Sequence, residues 1–290
     1  MNPPIFIHIP KTAGSTLRTL ITENYAADEV LSLYGDPKEI LVAAAAQMGR
    51  TDTYRLIQGH TPYGTHRFLG IREPRYFTFL RDPVERFLSD IAHATRDEEH
   101  RFHRELAASG LSEDQRISVA LDIPYYRNAI AHYVSGTFTT ETISMTQLGV
   151  AIDNLWASEF VGVSEQFEVS LLIMAKKLGW QHVVPQKCNV RPDARKAVEP
   201  ALKTRLDRAL AYDRMLYAVA QDHLNQSRRH YGPLLDEAGA QLAELINQQE
   251  HEHPETRYSK YLVGEATQVA LGNYHARIDV GSPLHRWLNP

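Results

Sequence analysis

The sequence predicts an α/β fold: a P-loop-like central parallel sheet flanked by helices, followed by a mostly helical C-terminal extension. Three observations predict it. The short apolar run Ile5-Phe6-Ile7-His8-Ile9 gives way to a polar loop and then to apolar residues at helical spacing. The same succession recurs after Tyr76-Phe77-Thr78-Phe79-Leu80 and after Phe160-Val161-Gly162-Val163. Strands that alternate with helices bury a mainly parallel sheet.

The first run is β-branched and aromatic and stops at Pro10, as a buried strand does. Leu17, Leu20 and Ile21 then mark one face of a helix that starts near Ser15. Leu56-Ile57 predicts a strand leading into Gly59-His60. After the strand at 76–80, Asp82, Pro83 and Glu85 read as the N-cap, first and third positions of a capping box. Val84, Phe87, Leu88 and Ile91 form the apolar stripe of that helix. Beyond the strand at 160–163, Ser164 reads as the cap of a helix carrying Phe167, Leu171 and Met174 and ending at Gly179. Val183-Val184 reads as a further short strand. Pro200 opens one helical stretch to about Asn225, and residues 235–249 form another. These patterns divide the chain into a domain over residues 1–232 and a C-terminal helix and extension over 233–290. The extension is expected to pack on the body or on a partner subunit, which allows a homodimer.

Composition narrows the function classes. The 290 residues carry a formal charge of -4, which gives no general case for nucleic acid or anionic membrane as partner. A polyanionic ligand would need a local concentration of basic groups. One cysteine, Cys188, excludes an intrachain disulfide and a Cys-based metal site. No apolar run approaches the roughly 20 residues that span a bilayer. The N-terminus lacks a basic stretch followed by a long apolar core, so a cytoplasmic location is expected. Glu98-Glu99-His100 with His103, and His251-Glu252-His253, read as solvated polar faces, and no metal is expected.

Two segments carry chemistry. Pro10-Lys11-Thr12-Ala13-Gly14-Ser15-Thr16 lies between a strand and a helix N-terminus. Such a loop offers backbone N–H groups and the positive end of the helix dipole to an anion. Gly14 permits close backbone approach, Thr12, Ser15 and Thr16 supply hydroxyls, and Lys11 supplies a cation. Lys11 precedes Gly14, whereas the nucleoside-triphosphatase loop places its Lys after the glycines. An ordinary turn that happens to hold a Lys is the alternative. The second segment is Arg81 at a strand end, with Ser89 about two helical turns on. Arg81 offers a planar cationic fork to a phosphate; the alternative is that it pairs with Asp82 or Glu85.

Together, in this order, the two segments resemble those of the sulfotransferases that use 3′-phosphoadenosine 5′-phosphosulfate (PAPS). The likeness is to the branch with heparan sulfate and uronyl 2-O-sulfotransferases and soluble bacterial members. His8-Ile9-Pro10-Lys11-Thr12-Ala13-Gly14-Ser15-Thr16-Leu17 is similar to the loop that cradles the 5′-phosphosulfate. Arg81-Asp82-Pro83-Val84-Glu85-Arg86-Phe87-Leu88-Ser89 is similar to the segment that binds the 3′-phosphate. Gly59-His60-Thr61-Pro62-Tyr63-Gly64 resembles the segment with the catalytic base. The stretch from Asn128 to Tyr133-Val134-Ser135-Gly136, and Val161-Gly162-Val163-Ser164-Glu165, resemble outer family segments. The likeness runs from about Ile5 to Asn225.

The resemblance implies sulfuryl transfer to an acceptor hydroxyl, with a carbohydrate or glycoconjugate as the acceptor class. It implies Lys11 at the leaving phosphate, His60 as general base with His66 in reserve, and Arg81, Ser89 and a late-loop Arg191 on the 3′-phosphate. Some relatives carry a second His where this chain has Gln58. Tyr125-Tyr126-Arg127 could line an acceptor cleft or be ordinary helix residues. A P-loop small-molecule kinase, or a catalytically silent nucleotide-binding protein of the same fold, are the alternatives.

Overall fold

The computed structural model describes residues 2–137, 142–185, 199–252 and 278–289. The described chain forms two compact units. The first comprises residues 2–12, 28–137, 142–165 and 199–224. The second comprises residues 13–27, 166–185, 225–252 and 278–289.

The first unit is built on a five-stranded, wholly parallel sheet: β1 (Pro4–Ile7), β2 (Val30–Leu33), β3 (Leu56–Gly59), β4 (Arg75–Leu80) and β5 (Phe160–Val163). Their order across the sheet is β2-β3-β1-β4-β5. The three inner strands are buried almost throughout because a parallel sheet is covered on both faces. Ile5, Ile57 and Phe77 are fully buried. β1 pairs Ile7 with Gly59 on one side and with Thr78 on the other. The chain leaves β1 for β2 on one side of the sheet and leaves β4 for β5 on the other. Neighbouring strands whose connections diverge leave a crevice at their carboxyl ends, the usual ligand site of open α/β sheets.

The helices of this unit are α2 (Pro37–Ala46), α3 (His66–Leu69), α4 (Pro83–Ala94), α5 (His103–Leu106), α6 (Glu113–Asp122), α7 (Ala129–Ser135), α8 (Met145–Ala157) and α10 (Pro200–Ala209), with α11 (Ala211–Tyr231) beginning in it. One apolar cluster joins Phe87 and Ile91 of α4, Ile117 and Leu121 of α6, Tyr126, and Leu202 and Leu206 of α10. Inside this layer Arg86 is wholly buried and pairs loosely with buried Asp90, its Nη1 donating to Oδ2 at 3.4 Å.

The second unit holds α1 (Gly14–Asn24), α9 (Phe167–Leu178), α12 (Pro233–Glu252) and α13 (Pro283–Leu288). α12 packs against α9 and α13. Trp287 of α13 donates its indole N–H to Leu172 O at 3.2 Å, and Lys176 Nζ lies 4.4 Å from the Trp287 ring centre. Trp180 donates to Tyr25 Oη at 3.0 Å, and Asn24 caps the backbone N–H groups of Gln181 and His182. Among the described residues no helix is long and apolar enough to cross a membrane.

Four local expectations are corrected. Val183-Val184 is not a strand: two residues ending at Pro185 have no ladder to join, although Val183 is buried. Ser164 does not cap α9; its hydroxyl donates to Leu80 O at 3.0 Å and ties β5 to β4, with a 3-10 turn intervening. The capping box at Asp82 is half made. Asp82 Oδ1 accepts from Val84 N and Glu85 N, but the Asp82 N–H goes to Glu165 Oε1 at 3.0 Å. The helical stretch from Pro200 breaks at Leu210 into α10 and α11.

A reciprocal clasp fixes the start of α7. Buried Asn128, at φ 48°, ψ 44°, accepts the N–H groups of Tyr212 and Asp213. Asp213 in turn accepts those of Ile130 and Ala131 at 3.1 and 2.9 Å. Burial pushes the Asp213 carboxyl up from 3.8 to about 6, opposed by Arg86 and the two N–H donors. The native state therefore holds a proton that the unfolded chain has released between those values. The contribution to stability is full below the lower value and is lost as pH rises through about 6, on the order of 3 kcal/mol. Asp213→Asn should abolish this dependence. In urea unfolding, the stability gap between wild type and variant should be larger at pH 5 than at pH 7.5; a constant gap would contradict the raised carboxyl.

Candidate active site

The register of the sheet gathers the chemical segments at one edge. His8 follows β1, His60 follows β3 and Arg81 follows β4, and these three strands are neighbours. His8 N donates to Gly59 O at 2.8 Å, and His60 N donates to Leu33 O at 3.1 Å. Arg81 Nη1 reaches the Lys11 carbonyl at 3.4 Å, so the two predicted segments meet. Its Nη2 lies 3.5 Å from Glu85 Oε2, a loose, half-exposed pair.

The loop after β1 is unusual for its backbone. Lys11 and Ala13 both have φ 70° without being glycine, a conformation that persists only where surroundings hold it and that concentrates at functional sites. The Thr12 side chain is buried and its hydroxyl donates to Ile9 O at 2.8 Å. That hydroxyl proton therefore shapes the loop, which corrects the expectation that the Thr12 hydroxyl donates to a ligand. Ala13 is the N-cap of α1, with φ 70°, ψ 12° and no side-chain cap, and no acidic residue occupies the first turn. Gly14, Ser15 and Thr16 are the first three helical positions, whose N–H groups have no acceptor within the helix. Left-handed and helical residues in succession turn backbone N–H groups to one side, a geometry that suits anions. Gly14 itself has an ordinary helical φ; the positive angles fall on its neighbours. Ser15 is exposed and Thr16 is buried. Ser89 lies half-buried on α4, two turns beyond Arg81. Arg191 lies outside the described residues.

His60 is half-buried and enclosed by rings. His8 meets it edge to face with centroids 4.7 Å apart, and Tyr34 does so at 4.9 Å. Tyr34 Oη and His8 Nδ1 are 2.9 Å apart, Tyr34 Oη lies 3.4 Å from Gln58 Oε1, and Gln58 Nε2 donates to Ser32 Oγ at 3.3 Å. The phenol has one proton and the amide oxygen can only accept. Satisfying every contact therefore makes His8 Nδ1–H donate to Tyr34 and Tyr34 donate to Gln58. A second histidine thus stands beside His60, supplied by β1 rather than by the position of Gln58. Neither His8 nor Tyr34 is singled out by sequence: His8 reads as one more residue of an apolar strand, and Tyr34 follows an edge strand.

The remaining segments support this edge. Tyr63 N donates to Tyr133 O at 2.8 Å, tying the turn after His60 to α7. A Cβ on Gly136 would lie 2.5 Å from Tyr63 O, so the helix end closes on that turn only as glycine. His66, the reserve base, has Nδ1 held 2.9 Å from Tyr76 Oη, which also accepts the Gly64 and His66 N–H groups. Burial and the Arg67 charge both lower its pKa. His100, which reads as a solvated residue in sequence, has its pKa lowered by burial, with Arg101 and Lys11 adding to the effect and Asp90 and Asp97 opposing it. Among the described residues no three His, Cys, Asp or Glu side chains are grouped to hold a metal ion.

No protein-family model matches this chain, and no curated protein matches it. The site rests on its own geometry.

Gly59 carries that geometry, because a Cβ there would lie 2.0 Å from the Leu33 carbonyl oxygen. Gly59→Ala should force β2 and β3 apart and cost about 2–3 kcal/mol. A melting temperature equal to wild type would contradict the close approach of these strands.

Proposed function

We propose that the chain is a sulfotransferase of P-loop-like architecture, moving a sulfuryl group from PAPS to an acceptor hydroxyl of a carbohydrate. The observation that supports this reading best is that Lys11, His60 and Arg81 follow the carboxyl ends of three adjacent parallel strands, with Arg81 Nη1 3.4 Å from the Lys11 carbonyl. The donor set also fits a nucleotide with phosphates at two ends. Lys11 suits the 5′ group, while Arg81 with Ser89 suits the 3′ group. Net charge elsewhere is negative, so this concentration of basic groups is local.

In this reading His60 takes the proton from the acceptor hydroxyl, whose oxygen then forms the new bond to sulfur. The bond between sulfur and the 5′-phosphate oxygen breaks in line, and the negative charge left on that oxygen is met by Lys11 and the loop N–H groups. Because the leaving oxygen is stabilised by charge already in place, the loop contributes most when that bond is breaking. His8 and Tyr34 hold the His60 ring in one orientation so that proton transfer meets a fixed base. No step in this scheme needs the Lys to follow the loop glycines, as a triphosphatase loop would require.

With ³⁵S-labelled PAPS and a panel of hydroxylated acceptors, wild type should label at least one acceptor. Lys11→Ala and His60→Ala should each reduce turnover by about 10²-fold or more, with the fold retained. Full activity of His60→Ala would remove it as the base. Arg81→Ala should act on binding instead, weakening calorimetric affinity for 3′-phosphoadenosine 5′-phosphate at least tenfold. An unchanged affinity would break the assignment of the 3′-phosphate.

A further inference from the structure

Apart from the strand-end site, a cavity of about 380 Å³ opens in the first unit where the end of α6, the start of α7 and α10 come together. We propose that it binds a monosaccharide-sized anion, a sugar carboxylate or sugar phosphate. Binding there needs none of the transfer chemistry described above.

Charge comes first. Arg127, Arg205 and Arg208 line the cavity against a single carboxylate, Asp122. The whole chain is negative, so three guanidinium groups around one cavity are a local excess. Two of them are held. Arg205 donates to Ser118 Oγ at 2.7 Å and to Asp122 Oδ1 at 3.2 Å. Arg127 Nε donates to Leu121 O at 2.6 Å, which fixes the plane of its guanidinium and leaves the paired Nη edge for a two-oxygen anion. Arg208 follows Arg205 by three residues, so both lie on one face of α10.

The neutral groups define the rest of the ligand. His132 also lines the cavity, with Nδ1 3.1 Å from Thr137 O. A carbonyl can only accept, so Nδ1 carries the proton and Nε2 is an acceptor for a ligand hydroxyl. Burial lowers the His132 pKa, which keeps the ring neutral. Buried Leu121 and Ile143 add apolar lining of the kind that meets the C–H face of a sugar ring. Among the described residues no Phe, Tyr or Trp lines the cavity, so a nucleobase would have no ring to stack on. The volume far exceeds that of a bare inorganic anion.

Calorimetry on the full chain tests this with D-glucuronate and glucose 6-phosphate, and with glucose and inorganic phosphate as controls. At least one sugar anion should bind saturably. Glucose and phosphate should each bind at least tenfold more weakly than that anion. Arg127→Gln with Arg208→Gln should weaken the sugar anion at least tenfold, with a melting temperature near wild type. If the double variant does not fold, Arg208→Gln alone, on an exposed side chain, should still weaken it at least threefold. The proposal is overturned by the absence of saturable binding, by affinity unchanged in the folded variant, or by phosphate binding as tightly as the sugar anion.

Discussion

Everything at the strand-end site depends on how closely β3 approaches its neighbours. Gly59 lies opposite Leu33 on one side and Ile7 on the other, and its missing side chain lets the Leu33 carbonyl come within reach of the His60 N–H. This contact sets the height at which His60 leaves the sheet. On the far side of β1, β4 ends level with the loop and delivers Arg81 to the Lys11 carbonyl. Backbone hydrogen bonds, rather than side-chain preferences, therefore decide which chemical groups meet.

Around that frame, polar groups are spent on holding shape. Thr12, Ser164, Glu165 and Tyr76 each use side-chain hydrogen bonds to fix a turn at or near the strand ends. Arg86, which belongs to the same sequence segment as Arg81, is buried with Asp90 of the same helix. The segment thus divides its two arginines: one reaches the loop and the other is buried within the helix that carries Ser89. Left-handed backbone at Lys11 and Ala13 costs free energy that a merely connecting turn would have no reason to bear.

Much of this was legible in the residues. Inner strands announced themselves as continuous apolar runs because both of their faces are covered, and Pro10 and Asp82-Pro83 marked where two of them stop. β2 was not legible. Val30 and Leu31 are half-buried and Ser32 is exposed, since it is an edge strand without a clear apolar run. α2 could have been found, for Asp36-Pro37-Lys38-Glu39 repeats the pattern at Asp82 and there forms a complete capping box. His8, Tyr34 and Asp213 were invisible for another reason. Each acts through a partner 24 or more positions away, and only the parallel register and the α7–α11 clasp bring those partners together.

The central claim is that this strand edge receives a nucleotide phosphorylated at both 3′ and 5′ positions. Calorimetric titration of the wild-type chain with 3′-phosphoadenosine 5′-phosphate and with adenosine 5′-diphosphate tests it most directly. The account predicts saturable binding of the first and at least tenfold weaker binding of the second, which lacks the 3′-phosphate. Equal affinity for the two, or no binding of either, would contradict it.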